Sequence, residues 1–167
     1  MIRTLLYKLS GRLPCRLIND GQRPYLERYY LGRAFGRTWY LHRFVGSDPA
    51  RGLHDHPWSN AVSFVRAGSY LEETRTGIRR VRWFNRLTGD SFHRVVMPDG
   101  SKHVWTLFGH GPYTKRWGFM RPIDSAVDGE QLLLWVPHQY QTDEASGKQR
   151  WWDTAPKGNA MFRRARG

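Results

Sequence analysis

Short β-prone runs, each bounded by turn-forming residues, fill the chain between residues 25 and 119. Runs such as 61–65 and 81–84 are rich in valine, phenylalanine and tryptophan and are too short for typical helices. Glycines stand between these runs at places expected for hairpin turns: Gly36, Gly68, Gly77, Gly89 and Gly100. The pattern therefore predicts an all-β domain.

Length and composition are consistent with one compact unit. The chain has 167 residues, 40% of them hydrophobic, and eight each of Trp, Tyr and Phe, which suffices to fill a β-barrel core. Apolar residues at positions 2, 5, 6 and 9 predict a short helix before the strands. We expect a single domain over 1–167, with an N-terminal extension over 1–24, a barrel core over 25–120 and a C-terminal extension over 121–167.

The sequence favours a cytoplasmic location. No run of 18 or more apolar residues is present to span a membrane, and the first nine residues lack the long apolar stretch of a secretory signal. Cys15 is the sole cysteine, which fits a reducing compartment, and we interpret it as structural.

Three histidines form the strongest candidate for a chemical site. His54 and His56 are two residues apart, so in a strand their imidazoles would lie on one face while Asp55 faces away. His93 follows the turn at Gly89 and can supply a third imidazole from a neighbouring strand. Three histidines leave coordination positions open on a metal ion, although isolated histidines are more often held in structural hydrogen bonds.

The order of these motifs resembles the cupin superfamily. In that pattern a His-x-His motif is followed by an acid and a glycine, and a later motif supplies a further histidine. Gly68 falls within the expected range, but Asn60 occupies the position of the glutamate, and the second motif lacks its proline. The resemblance therefore implies the three histidine ligands without the carboxylate.

A closer resemblance is to a group of small bacterial and phage cupin-like proteins with a Leu-His-Asp-His-Pro-Trp motif. The similar segments are 25–30, 41–44, 47–49, 53–58, 93–95, 105–108, 111–112 and 117–119. The resemblance implies a single cupin-type β-barrel (jelly roll) with a short N-terminal helix and a histidine-rich metal pocket. It implies no particular reaction.

Three neutral imidazoles leave a divalent ion its full charge, which suits Fe(II) acting with O2 on a small molecule. Zn, Ni, Mn or Cu fit the same ligands. His54 is followed two residues later by histidine and not by a carboxylate, which ranks a three-histidine dioxygenase or related metalloenzyme above a 2-oxoglutarate hydroxylase. The alternative is a non-catalytic cupin that binds a ligand or nucleic acid.

Several other side chains are candidates for the pocket, although none is assigned a catalytic role. Asn60 is expected to contact water or substrate, because a neutral amide is a weak ligand for a transition metal. The aromatic candidates for substrate contact are Trp58, Tyr70 and Trp105. Among the other four histidines, His42 and His103 are spare candidates for metal ligands. His110 and His138 lie in turn-like sequence and are expected to be exposed to solvent.

The net charge of +13 raises the question of an anionic partner. The basic residues considered for such a surface are Arg75, Arg79, Arg80, Arg82 and Arg86 on one predicted hairpin, with Arg163, Arg164 and Arg166 at the C-terminus. A charged edge strand that resists aggregation explains the hairpin equally well, so nucleic-acid binding is not favoured. The preferred partner is a small-molecule substrate, and an anionic substrate is one option. A homodimer that forms through edge strands is a further expectation.

Overall fold

A computed structural model describes residues 1–21, 23–127, 130–139 and 150–161. Within these ranges no helix has the length and apolar character needed to cross a membrane. The regular elements in chain order are α1 (Ile2–Ser10), β1 (Cys15–Asn19), β2 (Pro24–Ala34), β3 (Arg37–Phe44), β4 (Leu53–His54), β5 (Asn60–Ala67), β6 (Tyr70–Thr74), β7 (Gly77–Val81), β8 (Phe84–Thr88), β9 (His93–Val96), β10 (Val104–His110), β11 (Gly118–Val127) and β12 (Glu130–Pro137). Two short 3-10 turns follow, at Trp151–Asp153 and Gly158–Ala160.

The strands form two six-stranded antiparallel sheets. The first sheet has the order β1-β2-β3-β10-β5-β8, and the second has the order β12-β11-β4-β9-β6-β7. The chain crosses between the sheets several times, so neighbouring strands are often distant in sequence. The arrangement is a jelly-roll barrel with one short helix, which confirms the predicted fold class.

Alternation along the strands divides the first sheet into an inner and an outer face. On β10, Val104 and Phe108 belong to clusters that fill the barrel. Trp105, between them, packs on the other side with Tyr29 and Cys15. The inner face therefore meets the second sheet, and the outer face is covered by the N-terminal region.

The helix α1 has its apolar side on that outer face. Its residues Leu6 and Tyr7 pack against the outer cluster, and Met161 from the C-terminal segment packs beside them. The backbone N–H of Cys15 donates to the carbonyl of Pro156 at 2.8 Å, which joins the two ends of the described chain. The short helix predicted from the apolar spacing is confirmed.

Both sheets continue beyond residues 25–120. At the N-terminal side β1 pairs with β2, and at the C-terminal side β12 pairs with β11. The strand β12 contains the apolar run 132–136, which lies in the predicted C-terminal extension. Its pairing partner β11 also contacts β4, the strand that begins the histidine motif.

Candidate metal centre

The short strand β4 positions the histidine motif between two longer strands. His54 pairs with His93 of β9 on one side and with Phe119 of β11 on the other. Gly52, just before β4, has φ of +98°, and a Cβ there would collide with the carbonyl of Met120. Glycine at position 52 therefore allows the chain to pass close to β11 as it enters β4. The strand that carries His93 lies beside the His-x-His motif, as the sequence predicted.

The three histidines converge on one point inside the barrel. One ligand atom each from His54, His56 and His93 can be chosen so that all lie within 4.8 Å of one another. The Nε2 atoms of His56 and His93 are 2.9 Å apart. His56 and His93 are 7% and 5% exposed, and His54 is half-buried. The arrangement brings together the three residues predicted from the sequence.

This donor set fits a single divalent ion. Two nitrogens held about 2.1 Å from one ion at right angles lie about 3.0 Å apart, which is close to the spacing of His56 and His93. Burial, the largest cause, lowers the pKa of His54 and His56 well below the usual value, and the charge of His93 lowers both further. Both imidazoles are therefore neutral near pH 7, and a neutral imidazole is the form that binds metal.

Glu72 of β6 orients His93. Its Oε1 lies 2.7 Å from His93 Nδ1, which directs the other ring nitrogen toward His56. The same carboxylate accepts hydrogen bonds from Asn85 at 2.6 Å and from Arg79 Nε at 2.7 Å. Burial alone would raise the pKa of Glu72, but the hydrogen bond and charge of His93, with Asn85 and Arg79, lower it to about 2.

Two aspartates support the loop on either side of the motif. Asp48 Oδ2 accepts the N–H of Val95 at 2.8 Å and lies 4.0 Å from His54 Nδ1. Asp55 faces away from the histidines, as alternation predicts, and its Oδ1 accepts the N–H of Gly118 at 2.6 Å. Lys115 donates to the other oxygen of Asp55 at 2.8 Å. The carboxylates are therefore used to fix the backbone that carries the ligands.

The sequence pattern missed Glu72, Asp48 and Asn85. Each is polar and buried or nearly so, and each reaches the site from a strand or loop whose pairing is not local in sequence. The available signal was the alternation of β6, in which Tyr70 and Glu72 occupy one face. An acid on the buried face of a strand requires a partner, and His93 is that partner.

Two of the predicted substrate contacts lie near the histidines. The ring of Trp58 stacks on His56 with centroids 4.0 Å apart, and Trp58 is 7% exposed. Tyr70 is buried in a core cluster, and its hydroxyl accepts a hydrogen bond from Asn85 at 3.2 Å. Trp58 therefore borders the ligand set directly, whereas Tyr70 connects to it through Asn85 and Glu72.

The other two candidates lie elsewhere. Trp105 is on the outer face of the first sheet, stacked with Tyr29 at 6.2 Å between ring centroids. Asn60 precedes Ala61, whose side chain points into the barrel, so the Asn60 side chain faces the opposite way. Its Nδ2 donates to Ser59 at 3.0 Å, and its Oδ1 is buried with no hydrogen-bond partner in the described chain. The structure does not bring Asn60 or Trp105 to the histidines.

The remaining histidines have separate environments. The expectation that His110 is exposed is wrong, because β10 extends to this residue and leaves it 4% exposed beside Tyr40. His42 is buried on the inner face and stacks on Phe108 at 4.8 Å. His103 contacts Arg43 on the outer side, and His138 stacks on Trp117 at 4.2 Å.

The prediction that Arg75, Arg79, Arg80, Arg82 and Arg86 share one hairpin is wrong. The strand β7, which carries Arg79 and Arg80, pairs with β6 in the second sheet, whereas β8, which carries Arg86, pairs with β5 in the first. Arg79 is paired with Glu72 next to the histidines, whereas Arg80, Arg82 and Arg86 are exposed. Trp83 is 81% exposed beside them. Arg163, Arg164 and Arg166 lie outside the described residues.

Comparison with known proteins identifies the architecture. No family model and no curated protein matches the sequence. A cupin 2 conserved barrel domain protein from Rhodopseudomonas palustris has a TM-score of 0.51 at 12% identity, over 65% of this chain and 78% of that protein. A sugar phosphate isomerase from a cupin superfamily, from Silicibacter pomeroyi, has a TM-score of 0.50 at 14% identity, over 64% of this chain and 76% of that protein. The chain therefore has the jelly-roll barrel fold of the cupin superfamily.

Proposed function

We propose that the chain is a metal-dependent cupin enzyme in which His54, His56 and His93 hold one divalent ion. The observation that carries this proposal is the convergence of three imidazole donors, two of them buried and one half-buried, within 4.8 Å inside the barrel. Fe(II) is the favoured ion and a small-molecule dioxygenase the favoured class, with Zn, Ni, Mn or Cu accommodated by the same donors. When bound, the ion would supply Lewis acidity and, as Fe(II), electrons for chemistry with O2.

The side chains around the histidines prepare the donor set. Glu72 holds the Nδ1 side of His93, which fixes the ring and its tautomer and leaves Nε2 as the donor atom. Trp58 covers one face of His56 and excludes water from that side. These contacts hold the rings of His56 and His93 in place before an ion arrives, which reduces the ordering that binding must otherwise impose.

Metal analysis of protein prepared without a histidine tag tests this proposal. We expect one ion per chain, and replacement of His54, His56 or His93 by Ala should lower the affinity for that ion at least about tenfold. His138→Ala is the matched control, since this histidine is half-buried and stacks on Trp117 outside the donor set. Unchanged stoichiometry in all three ligand variants would refute the metal site.

Catalysis and ligand binding are separated by a second measurement. An enzyme should hold stoichiometric ion with an exchangeable water that relaxation measurements detect. A non-catalytic cupin should retain its ligand affinity after the ion is removed with a chelator. Retained affinity with no exchangeable water would favour the binding module.

One observation supports nucleic-acid binding as a second candidate. A surface groove of about 480 Å³ is lined by Arg66, Arg80, Arg82 and Trp83, a combination of cations and an exposed ring that suits single strands. Submicromolar binding of DNA or RNA at about 150 mM salt, weakening steeply as salt rises, would raise this reading above the enzyme. We expect no detectable binding under these conditions, because exposed arginines on edge strands also serve to prevent aggregation.

A further inference from the structure

A row of polar side chains crosses the inner face of the first sheet. The strand register pairs Arg16 with Arg28, Arg28 with His42, and His42 with Thr106, so the four residues lie side by side on β1, β2, β3 and β10. His42 stacks on Phe108, a residue of the barrel core, which places this row on the inner side. Most other inward positions nearby are apolar or aromatic, so a polar row here calls for a partner.

Arg28 carries the charge of this row. Its Nε donates to His42 Nε2 at 3.1 Å, and its guanidinium carbon lies 5.4 Å from the centre of the Tyr40 ring. In the part of the chain that the structure describes, no carboxylate forms an ion pair with Arg28. Its neighbour Glu27 faces the opposite side of the strand, where Arg43 occupies it. Arg28 is half-buried, so its charge is both partly desolvated and reachable.

Arg16 places a second guanidinium beside the first. Burial, the largest cause, lowers the pKa of Arg16, and the charge of Arg28 lowers it further. The two guanidinium groups lie on adjacent strands, so an anion bound beside Arg28 would also be attracted by Arg16. Guanidinium groups are also the side chains best suited to bidentate contacts with carboxylate and phosphate.

Thr106 adds an unsatisfied hydroxyl. The residue has 0% exposure, and its Oγ1 has no hydrogen-bond partner within the described chain. It lies between Val104 and Phe108, which both point into the barrel, and two residues from each of them, so the hydroxyl faces inward. A buried hydroxyl without a partner destabilises the fold, which a purely structural role for Thr106 does not explain.

The row is close to the three histidines. Phe108 lies 4.8 Å from His42 and 5.6 Å from Trp58 between ring centroids, and Trp58 in turn lies 4.0 Å from His56. Aromatic side chains therefore separate a cationic row from a metal-binding cluster within one interior.

We propose that Arg28, with Arg16 beside it and Thr106 across His42, binds the carboxylate or phosphate group of a small anionic substrate. His42 positions the Arg28 side chain by accepting its Nε–H. The aromatic rings of Phe108 and Trp58 lie between this anion site and the three histidines. The assignment of the substrate's reacting part to the histidine cluster rests on the function proposed above, whereas the anion site itself does not.

Anion binding to the metal-free protein tests the row alone. We would treat the protein with chelator, remove the chelator, and titrate inorganic phosphate and malonate separately by calorimetry. We expect at least one of the two to bind, and Arg28→Gln to weaken that binding at least about tenfold. Arg86→Gln is the matched control, because it removes the same charge from an exposed position on β8 and should leave the affinity unchanged.

A second variant protects the test against misfolding. Thr106→Val should fold with equal or greater stability, since it removes an unsatisfied buried hydroxyl, and should weaken the anion several-fold. Arg28→Lys should restore part of the affinity lost in Arg28→Gln. The preference between phosphate and malonate identifies which anion class the row selects.

The outcomes separate this proposal from the metal site. Anion binding that survives in the His93→Ala variant would support the row even if no metal were bound. Absence of binding by either anion, or equal binding by the wild-type and Arg28→Gln proteins, would overturn the anion site while leaving the metal analysis unaffected.

Discussion

The two faces of the first sheet treat their charges in opposite ways. On the outer face Glu27 and Arg43 form an ion pair at 3.1 Å with side chains only 1% exposed, and the Tyr29 hydroxyl donates to the same carboxylate at 2.5 Å. On the inner face lie Arg28 and His42, which are adjacent to Glu27 and Arg43 on the same two strands and have no such acid beside them among the residues that the structure describes. A shift of one residue along β2 and β3 therefore leads from an ion pair to a pair of cationic or neutral side chains without an acid in the described chain.

This difference separates charged groups that stabilise the fold from polar groups that are available to bind a ligand. The outer ion pair matches its two charges in the buried layer beneath α1, so it leaves no uncompensated charge for a ligand. Within the described residues, the Thr106 hydroxyl has no hydrogen-bond partner and Arg28 has no carboxylate partner, so both can contact a ligand, and the histidine cluster lies on their side of the sheet. We therefore expect substitutions on the outer face to affect mainly stability and substitutions at Arg28 and Thr106 to affect mainly the proposed ligand binding.

Removing one charge from the outer pair gives the largest expected effect. Glu27→Gln leaves Arg43 buried without its counter-charge, which should lower the free energy of unfolding by about 3–5 kcal/mol. Urea denaturation measures this loss. Arg28→Gln, one residue away on the inner face, should change the free energy of unfolding by less than about 1 kcal/mol. The reason is that Arg28 forms no ion pair with a carboxylate in the described chain, so its removal leaves no buried charge unmatched. Equal losses in the two variants would contradict the distinction between the faces.

The next largest effect concerns the support of the metal ligands. Glu72→Gln should lower metal affinity about 10- to 100-fold, because the charged acceptor that orients His93 is lost. Glu73→Gln is the matched control, since Glu73 is adjacent in sequence and pairs with Arg94 at the surface. Competition with a chromophoric chelator measures both affinities, and similar metal affinities in these two variants would remove Glu72 from the site.

The sequence predicted the part of the site that depends on local geometry. His54 and His56 follow from alternation, Asp55 faces away as expected, and His93 required only that its strand lie beside the first motif. Glu72 was not predicted, because the pairing of β6 with β9 joins residues about twenty positions apart. Register between distant strands is fixed by the assembled barrel and not by the local pattern.

The outer network and His110 show the same limit. The burial of Glu27 and Arg43 depends on the covering by α1 and the C-terminal segment, which no alternation within β2 or β3 reveals. His110 stands beside Gly109 and Gly111, which indicated a turn, yet β10 continues through it because both neighbouring strands, β3 and β5, pair with β10 as far as His110. Turn-forming residues thus mispredict exposure where a central strand has partners on both sides.

The smallest effect is expected at Asn60, the residue at the glutamate position of the cupin pattern. Its side chain faces away from the Ala61 side of β5, and an amide is a weak ligand, so Asn60→Ala should leave the metal content within about twofold of wild type. The contact of Asn60 with water or substrate remains a prediction, supported by its buried Oδ1 that lacks a partner in the described chain. Metal analysis beside the His93→Ala variant measures the contrast. If the Asn60→Ala variant lost the ion but kept a normal unfolding midpoint, Asn60 would be a metal ligand. Its side chain would then have to face the histidines, contrary to the position described above.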